Sequence, residues 1–191
     1  MSQSTIEPVI RRRPRSVDVP ARAYDLDALA SLDVRALGEL YRTAPVPTSV
    51  DRLAGHPTGR MLAVRHLDAG LRGALVHRVA GAALFPWGGK SFQGEGTAGN
   101  GTNRVHIGGR HQLFPFHTRV MASVIDGRPC VALDYDRPDN PAFIRAIHDE
   151  VREVDDGLFL GPAMWKTSSA PALVLWFALD TRLQAPAIGA V

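Results

Sequence analysis

The sequence predicts an α+β chain that is mainly antiparallel β, closing into a small barrel with N-terminal helices packed outside it or across one mouth. Three observations predict it. Leucines at helical spacing open the chain, extended apolar runs dominate from about residue 104 onward, and turn signals such as Asp126-Gly127 join those runs closely enough for hairpins. A sheet built of consecutive hairpins tends to curl and close, because closure removes exposed edges. An open curved sheet cupped around a helix is the competing arrangement.

Each element has its own signal. Residues 1–22 lack any period and contain three prolines, so they are expected to be a disordered basic tail. Leu26, Leu29, Leu32, Leu37, Leu40 and Tyr41 recur at helical spacing, with Asp25 as an N-cap and Asp33 able to cap a second helix; Pro45 and Pro47 end the stretch. Gly59–His66 reads as a first strand, and Leu71, Leu75, Val79 and Ala83 suggest a helix from about Ala69 to Leu84. The glycine-rich residues 94–109 read as loops around a short strand, Arg104–Ile107. Gln112–Ile125 and Arg128–Asp136 form a hairpin across Asp126-Gly127. Residues 140–148 read as a short helix begun by Asn140-Pro141 and followed by a strand, although helical spacing continues to Val154. Leu158–Lys166 and Ala172–Asp180 make a last hairpin. The expected organisation is one domain, residues 23–185, with a short tail over 186–191.

Composition excludes several classes. At 191 residues, 45% hydrophobic and 21% charged, the chain is ordinary globular material. The longest apolar stretch, Leu71–Phe85, is interrupted by Arg72, His77 and Arg78 and is too short to span a membrane. Cys130 is the only cysteine, which leaves no disulfide within the chain and no paired-cysteine metal or redox motif. Arg11, Arg12, Arg13 and Arg15 face only Glu7 and Asp18, so most of the net charge of +3 lies in the tail. The body lacks the basic stripe of a nucleic-acid binder. The first ten residues hold no apolar signal core, and a cytoplasmic protein is expected. Arginine outnumbers lysine, which occurs only at 90 and 166, a bias of GC-rich bacterial coding.

Candidate chemistry comes from charged and aromatic groups placed among apolar neighbours. Along the long strand, Phe114, Phe116, Thr118 and Val120 share the more apolar face, while His111, His117, Arg119 and Met121 share the other. If that second face lined a cavity, His117 and Arg119 would orient a guest. His106, His111 and His117 match no metal spacing and read as ordinary strand histidines. Asp134 shares a face with Cys130 and Ala132, which makes it either a structural ion-pair member or a functional acid, with Arg119, Arg145 and Lys166 as partners. Tyr135 follows it. Glu150 and Arg152 would pair on one strand face, either solvated or within a cavity, and Lys166 ends a strand otherwise apolar on its side. Lys90 follows Gly88-Gly89, where the glycines permit close approach and the lysine could neutralise an acidic ligand group. Trp87, Trp165 and Trp176, with Phe114, Phe116 and Tyr135, either line an aromatic cavity or pack the core.

Several stretches resemble a known group. Tyr41–Arg60 (YRTAPVPTSVDRLAGHPTGR), with Gly55 and Gly59, looks like the opening segment of GXWXG-type calycin-like proteins, although Pro57 stands at the tryptophan position. WGGKSF (Trp87–Phe92) is similar to the WxGKxF segment of that group, and GLFLGPAMWK with LVLWFALD resembles the last hairpin of lipocalin-like barrels. The resemblance implies a calycin-like (lipocalin-like) barrel that holds a small apolar ligand, and in a few members an isomerisation or cyclisation.

Together these readings give a barrel that binds a small lipophilic molecule, polyketide-, terpenoid- or fatty-acid-like. The alternative is a cofactor-independent cyclase, isomerase or dehydratase using the same cavity. Asp134, Tyr135, Glu150 and Lys166 are the candidate acid–base groups. Trp87, Lys90, Phe114, Phe116, His117, Arg119, Trp165 and Trp176 are the candidate binding residues. No metal, cofactor or nucleic-acid partner is expected, and the oligomeric state is left open.

Overall fold

The computed structural model describes residues 24–64, 87–106 and 108–186. The Arg11–Arg15 run and the helix expected over 69–84 lie outside the described residues. Eight strands form a closed barrel: β1 (Pro57–Val64), β2 (Trp87–Glu95), β3 (Ala98–His106), β4 (Arg110–Ala122), β5 (Pro129–Asp134), β6 (Ile147–Asp155), β7 (Leu158–Trp165) and β8 (Ala172–Gln184). They pair antiparallel in chain order, and β8 returns to β1. Eight strands leave an interior just wide enough for side chains or one small ligand.

Two helices precede the barrel. In α1 (Leu26–Ala30) the Asp25 carboxylate accepts the Ala28 amide at 2.7 Å, and in α2 (Val34–Thr43) Asp33 accepts that of Ala36 at 2.7 Å. Ala44 leaves the helical region one residue before Pro45, as a pre-proline residue must. Leu29, Leu37 and Tyr41 are fully buried against Leu158, Leu160, Trp176 and Ala178, on the outward side of β7 and β8. Those strands are therefore covered on both faces, which is why their sequence is continuously apolar rather than alternating. A third helix, α3 (Ala142–Arg145), is one short turn before β6.

The interior is a second core, built from Phe92, Phe116, Leu133, Val151, Phe159, Phe177 and Leu179. Val50 and Leu53, delivered by a 3-10 turn at Asp51–Leu53, join it. Asp51 accepts the Gly96 amide and Val50 donates to the Gly96 carbonyl, fixing this turn to the β2–β3 hairpin. Among the described residues no helix is long and apolar enough to cross a membrane.

The glycine-rich stretch departs from expectation. It forms most of a long hairpin, β2–β3, rather than loops around one short strand. Gly94 pairs with Gly99, and a Cβ on Gly94 would stand 2.6 Å from the Gly99 Cα; a Cβ on Gly101 would stand 2.4 Å from the Phe116 ring. Close packing, not turning, requires glycine there. Boundaries also move: β1 starts at Pro57, β4 spans Arg110–Ala122, β5 ends at Asp134, β8 runs on to Gln184, and the helix before β6 ends at Arg145.

Candidate functional site

A bulge sets the first two residues of the site. Trp87 and Lys90 are an odd number apart and would face opposite ways in a regular strand. The β2–β3 register shifts between Trp87 and Gly89, and Gly89 sits at φ +118, so both side chains reach the interior. A Cβ on Gly89 would meet the Pro57 carbonyl at 2.3 Å, which restricts the position to glycine. A second irregularity falls between Gly101 and Asn103, opposite Phe114, the only described non-glycine residue at positive φ (+56). Phe114 lines the interior and its carbonyl accepts from Asn103 Nδ2 at 3.3 Å. Strain of this kind collects at functional positions.

These residues, with Tyr135 just past β5 and Asp149 on β6, form a buried polar cluster. Lys90 Nζ donates to Asn103 Oδ1 (2.8 Å), Tyr135 Oη (2.5 Å) and Asp149 Oδ2 (3.0 Å). Tyr135 Oη donates to Asp149 Oδ2 at 2.9 Å, and Trp87 Nε1 donates to Asn103 Oδ1 at 3.1 Å. Lys90 and Asp149 are each 3% exposed. The ammonium also lies 5.1–5.3 Å from the ring centroids of Trp87, Phe116, Tyr135 and Phe177, an aromatic cage that favours a desolvated cation.

The cluster forms one wall of a cavity of about 120 Å³. The remaining walls are apolar, among them Met61, Val105, Ile147, Ala163, Leu175 and Phe177. For scale, an engineered cavity of about 150 Å³ accepts benzene. Burial pushes the Lys90 ammonium below its usual pKa, and the Asp149 charge opposes that shift. Burial, and then the Asp149 charge, push the Tyr135 phenol well above its usual value. At neutral pH the phenol is thus a proton donor.

The expected site residues divide. Trp87, Lys90, Phe114 and Tyr135 line the cavity. Phe116 lies just behind it in the cage. The others stand elsewhere. His117 and Arg119 are exposed on the outer face of β4, with His117 Nδ1 2.7 Å from Asn100 Oδ1 and Nε2 3.1 Å from Arg137. The inward phase of β4 belongs to its phenylalanines, so these polar groups are turned away from the cavity. Asp134 and Lys166 pair outside the barrel at 2.9 Å, each about one-third exposed. Trp176 packs under α2 and Trp165 is half-buried at the end of β7.

Glu150 is also outside the barrel, in the layer beneath α2. Its carboxylate accepts from Tyr41 Oη, Ser123 Oγ, the Val124 amide and His148 Nε2. Burial works against its ionisation, but these bonds outweigh that and hold it below the usual carboxylate range. Arg152 does not pair with it. All five guanidinium N–H groups go to Asp126, Tyr41, Arg128 and Pro129, a structural clamp. Among the described residues no three of His, Cys, Asp and Glu stand close enough to hold a metal ion.

Sequence reasoning missed Asp149 and Asn103. Asp149 shares its strand phase with Ile147 and Val151, a carboxylate on an apolar face, and that was the available signal. Asn103 carries none beyond its place in the glycine-rich hairpin. No protein-family model matches this chain, and no curated protein does. The chain is similar to a protein of known structure from Thermomonospora curvata, at 19% identity over 78% of this chain and 87% of that one, with a TM-score of 0.46.

Proposed function

We propose that this protein binds a small lipophilic molecule inside its barrel, in the manner of the calycin-like proteins that its sequence resembles. The observation that carries the reading is the interior cavity of about 120 Å³, apolar on most sides with a buried Lys90–Asp149–Tyr135–Asn103 cluster on one. Few convergent polar groups in an apolar hollow are the make-up of a ligand pocket. Its size suits a compact molecule, or the end of a longer polyketide-, terpenoid- or acyl-type chain.

A second reading is acid–base catalysis in the same cavity. Three titratable groups sharing one hollow favour it. Tyr135 would donate a proton and Asp149 accept one, in an isomerisation, cyclisation or dehydration that needs no cofactor. Native mass spectrometry of the purified protein incubated with a lipophilic extract of its own organism separates the two. A bound compound recovered unchanged supports a carrier; conversion to an isomer or dehydrated product supports an enzyme. Ala163→Phe fills the cavity and is expected to abolish binding while the circular dichroism spectrum is kept. If Ala163→Phe binds as the native protein does, the ligand sits elsewhere.

A further inference from the structure

The polar wall of the cavity can be accounted for bond by bond, and one acceptor is left over. All three N–H groups of Lys90 are engaged. Tyr135 gives its proton to Asp149 Oδ2 and accepts from Lys90 and Asn103. Asn103 uses its amide on the Phe114 carbonyl and Tyr135, and its oxygen on Lys90 and Trp87. Only Asp149 Oδ1 remains: it is buried, without a hydrogen-bond partner, in a residue that lines the cavity. A buried carboxylate oxygen left without a donor is costly.

Charge points the same way. Lys90 and Asp149 neutralise each other at 3.0 Å. An incoming carboxylate would find no N–H of Lys90 unengaged and would stand beside the Asp149 charge. A hydroxyl would bring the one thing the wall lacks, a proton for Oδ1.

We infer that the cavity selects neutral lipophiles bearing a hydrogen-bond donor, an alcohol or phenol, whose O–H bonds Asp149 Oδ1, and that it rejects carboxylates. This rests on the ligand-binding reading above and narrows it, setting aside free fatty acids. It also inverts the expected role of Lys90, which holds Asp149 in place instead of meeting an acidic ligand.

The test is calorimetric titration of the full chain at neutral pH with heptan-1-ol, 1-methoxyhexane and heptanoate. The ether keeps the chain length and the oxygen but has no O–H. The alcohol is expected to bind roughly tenfold or more tightly than the ether, since bonds to charged acceptors are the strong ones. Heptanoate is expected to be weakest. In Asp149→Asn the alcohol's advantage is expected to shrink and heptanoate to gain, because Lys90 then lacks its counter-charge; should that variant fail to fold, the three native titrations decide. Equal binding of alcohol and ether, or heptanoate binding best, overturns the donor selectivity and leaves ligand binding intact. If none of the three binds, both fall.

Discussion

Cys130 shows how a residue with no part in the cavity still sets the protein's response to pH. It is fully buried on β5, facing the layer under α2. Burial, and then the nearby Glu150 charge, push its thiol from 9.0 up to about 12. Between those values the folded chain keeps a proton that the unfolded chain releases. The group's contribution to stability is therefore complete below pH 9.0 and is lost as pH rises through that window. Tyr41 and Tyr135, both raised above 10.0, act in the same direction at higher pH. In urea denaturation, native protein is expected to lose about 1 kcal/mol more than Cys130→Val between about pH 8 and about pH 10. Equal losses would mean that the thiol ionises inside the fold. At this scale legibility depends on neighbours. Trp87, Lys90 and Tyr135 stand out as polar or aromatic groups beside glycines or strand ends. Asp149 does not, because it sits in the run His148-Asp149-Glu150 and a shift of one residue exchanges the two faces of a strand. The end of the preceding helix sets that phase, and sequence periodicity alone does not place it, so the pattern favours Glu150 over its neighbour.

Elements are most legible where one local rule governs them. The aspartate-led leucine pattern lies where α1 and α2 form, and the Asp126-Gly127 turn lies between β4 and β5. The β2–β3 hairpin is illegible because its glycines answer to contacts far away in sequence. Two glycines separate those causes. Gly96, in the hairpin turn, has φ +64, and a Cβ there would meet nothing within 4 Å, so only the left-handed backbone opposes a side chain. Gly89 has φ +118 and would drive a Cβ to 2.3 Å from the Pro57 carbonyl. Gly96→Ala is expected to cost about 1 kcal/mol. Gly89→Ala is expected to cost about 3 kcal/mol or more and to weaken ligand binding, because the bulge aims both Trp87 and Lys90. Equal denaturation midpoints for the two variants would remove the bulge from the account of the site.

For the whole molecule the question is where a closed barrel is weakest. β7 and β8 pair along their length, from Leu158↔Asp180 to Trp165↔Ala172, under the cover of α1 and α2. Among the described residues β1 and β2 pair only at Thr58↔Gly89. That seam is held by a side chain. Arg104, 2% exposed, donates to the His56 carbonyl ahead of β1 and to the Gly88 carbonyl on β2, both at 2.9 Å. The Gly55–Phe92 bridge adds a second tie. Met61 and Trp87, on the two strands of the seam, also line the cavity, so parting of the seam would open the proposed binding site. Removing the guanidinium takes a donor from each of these half-buried carbonyls, leaves His56 held only by the Ala185 amide across to the end of β8, and frees β1 and β2 to part. In Arg104→Met, hydrogen exchange is expected to accelerate roughly tenfold or more at β1–β2 amides while β7–β8 amides keep their protection, the signature of local opening. Ligand association is expected to quicken in the same variant. Uniform acceleration across all strands would instead make Arg104 a determinant of global stability, and the barrel would open as one unit.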